Sequence, residues 1–357
     1  MAEFIFKTEP YDHQREAFIA SAERVNFALL MDMGTGKTKV DIDSMALCYE
    51  KGIIDFAIIV APKGVIRNWV PEIATHLPDR IEREIVVWKP SLTKTNRKEL
   101  MDLYEHTGKM KFLLMNIEAF STKKGVDVAE FFVQKFKVFM TVDESTTIKN
   151  RQAKRTKAIC SVGRGAVMRR ILTGSPVTKS PMDLYSQMAF LSPDLLGFKS
   201  YYAFQGRYAV VQRRTMGPRS FNQILGFQKL DELTSKLDEH SFRVRKEDCL
   251  DLPDKVYMRR EVELTSEQTE AYVQMKHLAL ARLDSGDLST TQNVLTQIMR
   301  LQQICLGSLT DDDGIVHPLK SNRQAALLDI CDEIQGKALI WATWTRDIRS
   351  IAEALRD

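Results

Sequence analysis

Phe27-Ala-Leu-Leu-Met-Asp-Met-Gly-Thr-Gly-Lys-Thr38 decides the reading of this chain. It opens with an unbroken apolar run of strand length, passes through a turn carrying Gly34 and Gly36, and leads into a segment, 39–49, that reads as helix. A strand that feeds a Gly-rich turn and then a helix start is a physical recipe for holding phosphates. Backbone N–H groups close on the anion there, and the helix end carries partial positive charge. Gly34 and Gly36 permit that close approach, Lys37 brings a positive charge to the outer phosphates, and the Thr38 hydroxyl can ligate Mg2+. The full pattern wants a further glycine where Met31 stands, so the motif is incomplete on its own. Phe139-Met-Thr-Val-Asp-Glu144 supplies the complement, a second apolar strand ending in paired carboxylates. In a P-loop fold the first acid holds the Mg2+ shell and a neighbouring Glu orients the attacking water. A solvated Asp-Glu pair is the bland alternative, and the order and separation of the two motifs argue against it.

At 357 residues the chain is long enough for two or three units. With 44% hydrophobic and 27% charged residues it has the composition of an ordinary globular protein. The five cysteines are scattered without a C-x-x-C pair, which excludes a disulfide framework and a zinc site by pattern. No apolar run reaches the roughly eighteen residues a membrane helix needs, and the first ten residues have no signal-peptide core. The expectation is a soluble protein of the cytoplasm, bacterial or in a phage-infected cell, or of the nucleus if eukaryotic. A net charge of +4 implies little, but its distribution is uneven. No acid lies between Glu144 and Asp183, while Lys149, Arg151, Lys154, Arg155, Lys157, Arg164, Arg169, Arg170 and Lys179 do. Such a run is either a solvated face or a nucleic-acid surface, and its place after an ATPase-like motif favours the second.

Short runs rich in Val, Ile, Leu or Phe recur at 27–31, 56–61, 85–88, 112–115, 138–142 and 170–173, separated by segments long enough for crossover helices. Near-continuous hydrophobicity of this kind predicts buried strands of a parallel sheet, hence a doubly wound α/β domain with its ligands at the carboxyl ends of the strands. Beyond Leu191-Ser-Pro193 the pattern predicts helices and loops, then an alternating strand at 256–264 and a helix capped by Thr265 or Ser266. That helix runs to about residue 303 with a break near Ser285-Gly286. A turn at 311–314, a helix from Asn322, a buried strand at 338–342 and a final amphipathic helix complete the reading.

Taken together, these stretches resemble the SNF2 branch of superfamily 2 helicase-like ATPases, along nearly the whole chain. Pro10-Tyr-Asp-His-Gln14 resembles the Q motif, whose glutamine reads the adenine edge. Asp32-Met-Gly-Thr-Gly-Lys-Thr38 is similar to D-E-M-G-L-G-K-T, and Ala61-Pro-Lys-Gly-Val-Ile-Arg-Asn-Trp69 with Glu72 to motif Ia. Asp143-Glu-Ser-Thr-Thr-Ile-Lys-Asn150 resembles the D-E-A-H-x-x-K-N form of motif II, and Leu172-Thr-Gly-Ser-Pro176 with Asp183-Leu-Tyr185 resembles motif III. Phe242-Arg-Val-Arg-Lys-Glu-Asp248 with Asp251-Leu-Pro253 matches the segment before the second lobe, and Ala338-Leu-Ile-Trp-Ala-Thr-Trp-Thr345 resembles motif IV.

The resemblance implies a RecA-like P-loop lobe with SNF2-type helical insertions and the start of a second RecA-like lobe. Lobe one would span 1–195, an insertion with a return strand 196–265, a helical protrusion 266–325, and the second lobe would begin at 326–357. The implied activity is ATP hydrolysis coupled to movement on double-stranded DNA. Met33, Gly34, Thr35, Gly36, Lys37 and Thr38 would hold ATP, with Gln14 on adenine and Tyr11, His13 or Arg15 beside it. A surface or packing role is the alternative for His13. Thr38 and Asp143 would hold Mg2+, and Glu144 would orient and deprotonate water. Lys63, Arg67, Asn68, Asn116, Lys149 and Arg151 would neutralise DNA phosphates without reading sequence. Trp69 is either a core residue or a base-stacking one. Thr173, Gly174 and Ser175 would couple the site to movement.

Three departures stand out. Thr146 replaces the motif II histidine, which opens the question of how the site communicates with motif III; Thr178-Lys179 replaces Q-N; and Asn116 replaces a threonine. Motifs V and VI have no counterpart after motif IV, so the expectation is a chain cut short or split, weak in hydrolysis alone. Competing readings are a strand-separating helicase or restriction-complex motor, a non-catalytic ATP- and DNA-binding module, and an unrelated P-loop kinase. The Lys-Asn tail of motif II argues against the last.

Overall fold

All six apolar runs are strands of one sheet in the computed structural model, which describes residues 4–91, 93–105, 107–216, 219–249, 251, 253, 255–284, 291–311 and 314–356. The strands are β1 (Asn26–Met31), β2 (Phe56–Ala61), β3 (Arg83–Val87), β4 (Met110–Asn116), β5 (Val138–Asp143), β6 (Met168–Leu172), β7 (Ala209–Met216), β8 (Arg219–Phe227), β9 (Ser241–Val244), β10 (Ser308–Thr310) and β11 (Val316–Pro318). The helices are α1 (Asp12–Ser21), α2 (Lys37–Glu50), α3 (Trp69–His76), α4 (Lys94–Asp102), α5 (Lys123–Lys135), α6 (Lys154–Gly163), α7 (Leu184–Leu191), α8 (Tyr201–Tyr208), α9 (Leu230–Asp238), α10 (Lys246–Cys249), α11 (Ser266–Asp284), α12 (Thr291–Cys305), α13 (Arg323–Glu333) and α14 (Thr345–Ala354). They divide into two units, Met1–Pro253 and Asp254–Asp357.

The first unit holds a sheet of order β3-β4-β2-β5-β6-β1-β9 in which every pairing is parallel. Strand β2 shows why its run is continuous instead of alternating. Phe56, Ile58 and Val60 pack into one hydrophobic cluster, and Ala57, Ile59 and Ala61 into the other on the opposite face. Both faces are covered by helices, so no residue of the strand can be polar without cost. Each such fully buried aliphatic side chain contributes about 1.5–3 kcal/mol. The register aligns Asp143, Leu172 and Leu29 across β5, β6 and β1. The carboxylate pair and the Gly-rich turn therefore flank the end of β6.

Several expectations beyond residue 193 need correction. The returning strand that enters the sheet is β9, whereas 256–264 forms no strand and leaves Val256, Tyr257 and Met258 exposed. Its alternation is real, but among the described residues no strand lies beside it to take up its backbone groups. The same reason applies to 338–342, which is irregular with Trp341 exposed. Residues expected as helix and loop form the antiparallel hairpin β7–β8, with an irregularity at Val210/Val211. Of the basic run after Glu144, Arg170 is fully buried in β6 and donates to the carbonyls of Ser21, Ala22 and Val25, so it belongs to the core.

In the second unit α11 begins at a reciprocal cap: Gln268 N–H donates to Thr265 Oγ1 at 3.2 Å, and Gln268 Oε1 accepts from Thr265 N–H at 3.2 Å. The expected helix break at Ser285-Gly286 lies outside the described residues. The middle of the expected turn at 311–314 lies outside the described residues, and α13 starts after Asn322. No described helix is long and apolar enough to cross a membrane.

Candidate active site

Strand β1 delivers the chain to a turn in which Gly34 and Gly36 both have φ +87°, a left-handed conformation that side chains resist. At Gly36 a second constraint applies, because a Cβ there would lie 2.2 Å from Gln14 Nε2. Gln14 projects from α1 and is buried. Its Nε2 donates to Thr35 O at 3.1 Å and its Oε1 accepts from Tyr11 N–H at 3.1 Å. His13 Nε2 lies 2.8 Å from the same Thr35 carbonyl, which can only accept, so the proton sits on that nitrogen. Thr35 itself is buried and its hydroxyl donates to Asp32 O at 2.8 Å. On the other side, a Cβ on Gly174 would come within 3.2 Å of Asp32 Cα. The turn is thus clamped between α1 and the loop after β6.

Asp143 ends β5 and is buried. Its Oδ2 accepts from Trp69 Nε1 at 3.0 Å and its Oδ1 from Glu144 N–H at 2.9 Å. Burial pushes its proton affinity up, against the opposing Trp69 hydrogen bond and the Lys37 charge. Glu144 adopts φ +48°, ψ +56°, which is uncommon for a residue with a side chain and marks a position held by its surroundings. Its carboxylate lies 3.8 Å from Lys37 Nζ, the first residue of α2. Burial raises the Glu144 pKa, Lys37 lowers it, and the Asp143 charge raises it again. The result is a half-buried carboxylate beside a buried ammonium, able to accept a proton from a polarised water.

These groups open into one cavity of about 580 Å³. Tyr11, Gln14, Met33, Gly34, Gly36, Lys37, Thr38, Asp143 and Glu144 line it. His13, Arg15 and Thr35 do not: His13 and Thr35 serve the turn from behind, and Arg15 pairs with Glu9 and lies over the Phe6 ring at 5.5 Å. The cavity also has lining residues that the sequence reading did not assign to it, among them Lys39, Glu72 and His76. Glu72 Oε2 and His76 Nε2 are 3.2 Å apart, and Thr8 Oγ1 is 2.7 Å from His76 Nδ1. Trp69, Glu72 and His76 recur at helical spacing along α3, so their shared face was available as a signal. Trp69 is a buried core residue with its indole N–H committed to Asp143. At the end of β6, Thr173 is buried with its N–H on Leu29 O at 3.1 Å, and Ser175 N–H donates to Thr173 Oγ1 at 3.2 Å.

The six residues expected to face nucleic acid fall in different surroundings. Lys63, Arg67 and Asn116 line a second cavity of about 1120 Å³ at the carboxyl ends of β2, β3 and β4. Asn68 instead lines the first cavity. Lys149 bonds Thr178 Oγ1, and the Arg151 guanidinium stacks on Tyr201 at 4.1 Å and Tyr202 at 5.1 Å.

A doubly wound parallel sheet with a Gly-rich turn after one strand and paired carboxylates after another defines a RecA-like P-loop lobe. The SNF2-related domain matches residues 11–308, and the chain belongs to that family. It is 26% identical over 305 residues to an uncharacterized ATP-dependent helicase of Mycoplasma genitalium, covering 85% of this chain and 26% of that protein. Similarity extends to the human DNA annealing helicase and endonuclease ZRANB3, 26% identical over 84% of this chain and 27% of that one. The chromatin-remodeling ATPase INO80 of Neurospora crassa is 27% identical over 79% of this chain and 14% of its own length. This chain therefore spans about a quarter or less of these relatives. The solved SWI2/SNF2 ATPase core of Sulfolobus solfataricus in complex with dsDNA shares the fold, with a TM-score of 0.52 at 21% identity over 93% of this chain and 66% of that one.

Proposed function

We propose that this chain is the nucleotide-binding part of an ATP-dependent motor that moves along double-stranded DNA or remodels protein–DNA complexes. The observation that carries the reading is the meeting of Lys37 and Glu144 at 3.8 Å, with Asp143 beside them, at the mouth of a cavity walled by a Gly-rich turn. Family membership, and relatives named as ATP-dependent helicases and chromatin-remodeling ATPases, support it.

In this reading the turn from Met33 to Thr38 cradles the phosphates and Lys37 neutralises the outer ones. Gln14 reads adenine, with Tyr11, 68% exposed, available as its stacking partner. Thr38 and Asp143 line the same cavity and offer hard oxygen donors, a set that fits Mg2+. Bound there, Mg2+ would neutralise phosphate charge. Glu144 accepts the proton of the attacking water, and Trp69 holds Asp143 in place for its own role. Lys63, Arg67 and Asn116 give a phosphate-binding face, and Asn68, Lys149 and Arg151 give separate phosphate contacts. Such contacts carry no sequence information. The compartment would be one that holds DNA, the cytoplasm of a bacterial or phage-infected cell or a eukaryotic nucleus.

The test is ATP hydrolysis with and without double-stranded DNA, comparing the chain with Lys37→Ala. Turnover that DNA raises and Lys37→Ala abolishes is the expected result. Turnover that survives the substitution would sink the assignment, and ATP binding without turnover would favour a non-catalytic module.

A further inference from the structure

The peptide after Glu144 is held by a side chain that no sequence motif singled out. Ser145 and Gln187 are both fully buried, and the Ser145 hydroxyl donates to Gln187 Oε1 at 2.7 Å. Gln187 Nε2 donates to Pro176 O at 2.8 Å and to Asp183 O at 2.8 Å. Both carbonyls can only accept, so the orientation of the amide is fixed, and both of its N–H donors are used. Next to it, the Ser186 hydroxyl lies 2.7 Å from both Ile148 O and Lys149 O, and Lys149 Nζ bonds Thr178 Oγ1. Asp183 Oδ2 gathers Thr178 N–H at 3.1 Å and Lys179 N–H at 2.9 Å. One turn of α7 thereby grips the turn after the carboxylates on one side and the 176–183 loop on the other.

A buried amide with every polar atom paired is expensive to disturb and has one geometry. Any shift of Glu144 that moves Ser145 must break the 2.7 Å bond or carry Gln187, and with it Pro176 and Asp183. We infer that Gln187 is the positioning residue that ties the carboxylate end of β5 to the 176–183 loop, so that occupation of the nucleotide cavity is transmitted to that loop. This rests on the nucleotide reading above. Gln187 touches neither of the carboxylates directly, and its action is through Ser145. The link also supplies a physical route between the two segments where Thr146 stands in place of a histidine.

Hydrogen–deuterium exchange with and without an ATP analogue and Mg2+ tests this without relying on turnover. In the unsubstituted chain, ligand should slow exchange at 31–38 and, by about fivefold or more, at 177–183. Gln187→Leu should keep the first effect and lose the second. The double variant Ser145→Ala/Gln187→Leu also removes the hydroxyl that Gln187→Leu leaves unpaired, so it should melt above Gln187→Leu yet still lack protection at 177–183. Equal protection of 177–183 in the unsubstituted chain and in the well-folded double variant would overturn the inference. Absence of protection at 31–38 in the unsubstituted chain would overturn the nucleotide reading, and the inference with it.

Discussion

Gly36→Ala sets two costs against each other that a second glycine separates. At Gly36 the new side chain meets φ +87° and sits 2.2 Å from Gln14 Nε2 and 2.9 Å from Gln14 Cδ. At Gly52, just beyond α2, φ is +67° and a Cβ meets nothing within 4 Å. Gly52→Ala should therefore cost only the left-handed strain, about 1–2 kcal/mol. Gly36→Ala should cost that strain plus the displacement of a buried amide from Thr35 O and Tyr11 N–H, worth about 1–3 kcal/mol more. The Gln14 side chain is flexible at its tip, so the second cost is lost hydrogen bonding and not a steric wall. Urea denaturation of the two variants should show Gly36→Ala less stable by about that 1–3 kcal/mol. A double-mutant cycle sharpens the test. Gln14→Ala already forfeits the hydrogen bonds, so the combined Gly36→Ala/Gln14→Ala variant should cost less than the sum by about 1–3 kcal/mol. Additivity within about 0.5 kcal/mol would refute the argument that Gln14 is what a side chain at 36 displaces.

Three further outcomes follow from named contacts. Trp69→Phe keeps the packing but deletes the donor that holds the Asp143 pKa down, so the acid limb of the ATP-turnover profile should move to higher pH; an unmoved limb would show the hydrogen bond to be idle. Burial pushes the Asp41 pKa up to about 7, opposed by the Thr141 hydroxyl and the Arg170 charge. The folded chain then holds a proton that the unfolded chain releases near pH 4, so this group's contribution to stability falls as pH rises from about 4 to 7, by at most about 1.4 kcal/mol per unit. Asp41→Asn lacks that dependence, and its stability deficit should shrink between pH 5 and pH 8; parallel stability curves would contradict the assignment. If the Lys63–Arg67 face carries DNA phosphates, Lys63→Ala and Arg67→Ala should each lower the slope of log affinity against log salt by about 0.9, alike for every duplex sequence tested.

The inner strands of the sheet were legible because they are buried on both faces, which leaves a near-continuous apolar run where a half-exposed strand would leave only alternation. The two motifs stood out as a pair at strand ends, and the fold brings both to one cavity. Strand β9 was not legible, because Ser241-Phe-Arg-Val244 is four residues at a sheet edge with only Val244 buried. The segment 256–264 has the better alternation but, among the described residues, no partner strand, so local pattern and tertiary pairing point in opposite directions there. His13 and Arg15 were expected beside the nucleotide because their stretch resembles the Q motif, with a packing or surface role as the alternative for His13. Gln14 faces the cavity from α1 and Tyr11 from the extended position just before it, while His13 Nε2 turns to Thr35 O and Arg15 to Glu9. Gln187 was invisible because a single amide within α7 gives no sign of which carbonyls it will meet.

Asp32 poses a harder question, since a carboxylate at the entrance to an anion-binding turn opposes the ligand. Its contacts account for it. Asp32 Oδ2 accepts from Lys246 N–H at 3.1 Å across 214 residues of chain, and Asp32 N–H donates to Val244 O at 3.0 Å. The carboxylate is thereby spent on the N-terminal end of α10, where a negative charge is favoured. The same junction returns a positive charge: Lys246 Nζ lies 3.5 Å from where a Cβ on Gly34 would stand. Asp32 and Lys246 therefore bring compensating charges to the turn while fastening it to the strand that closes the sheet. The left-handed glycines need such a fastening, because a turn free to relax would lose the N–H convergence that makes it a phosphate site. Position 32 is in this sense structural: its carboxylate accepts from the Lys246 N–H at the start of α10, and the glycines of the turn begin two residues further on.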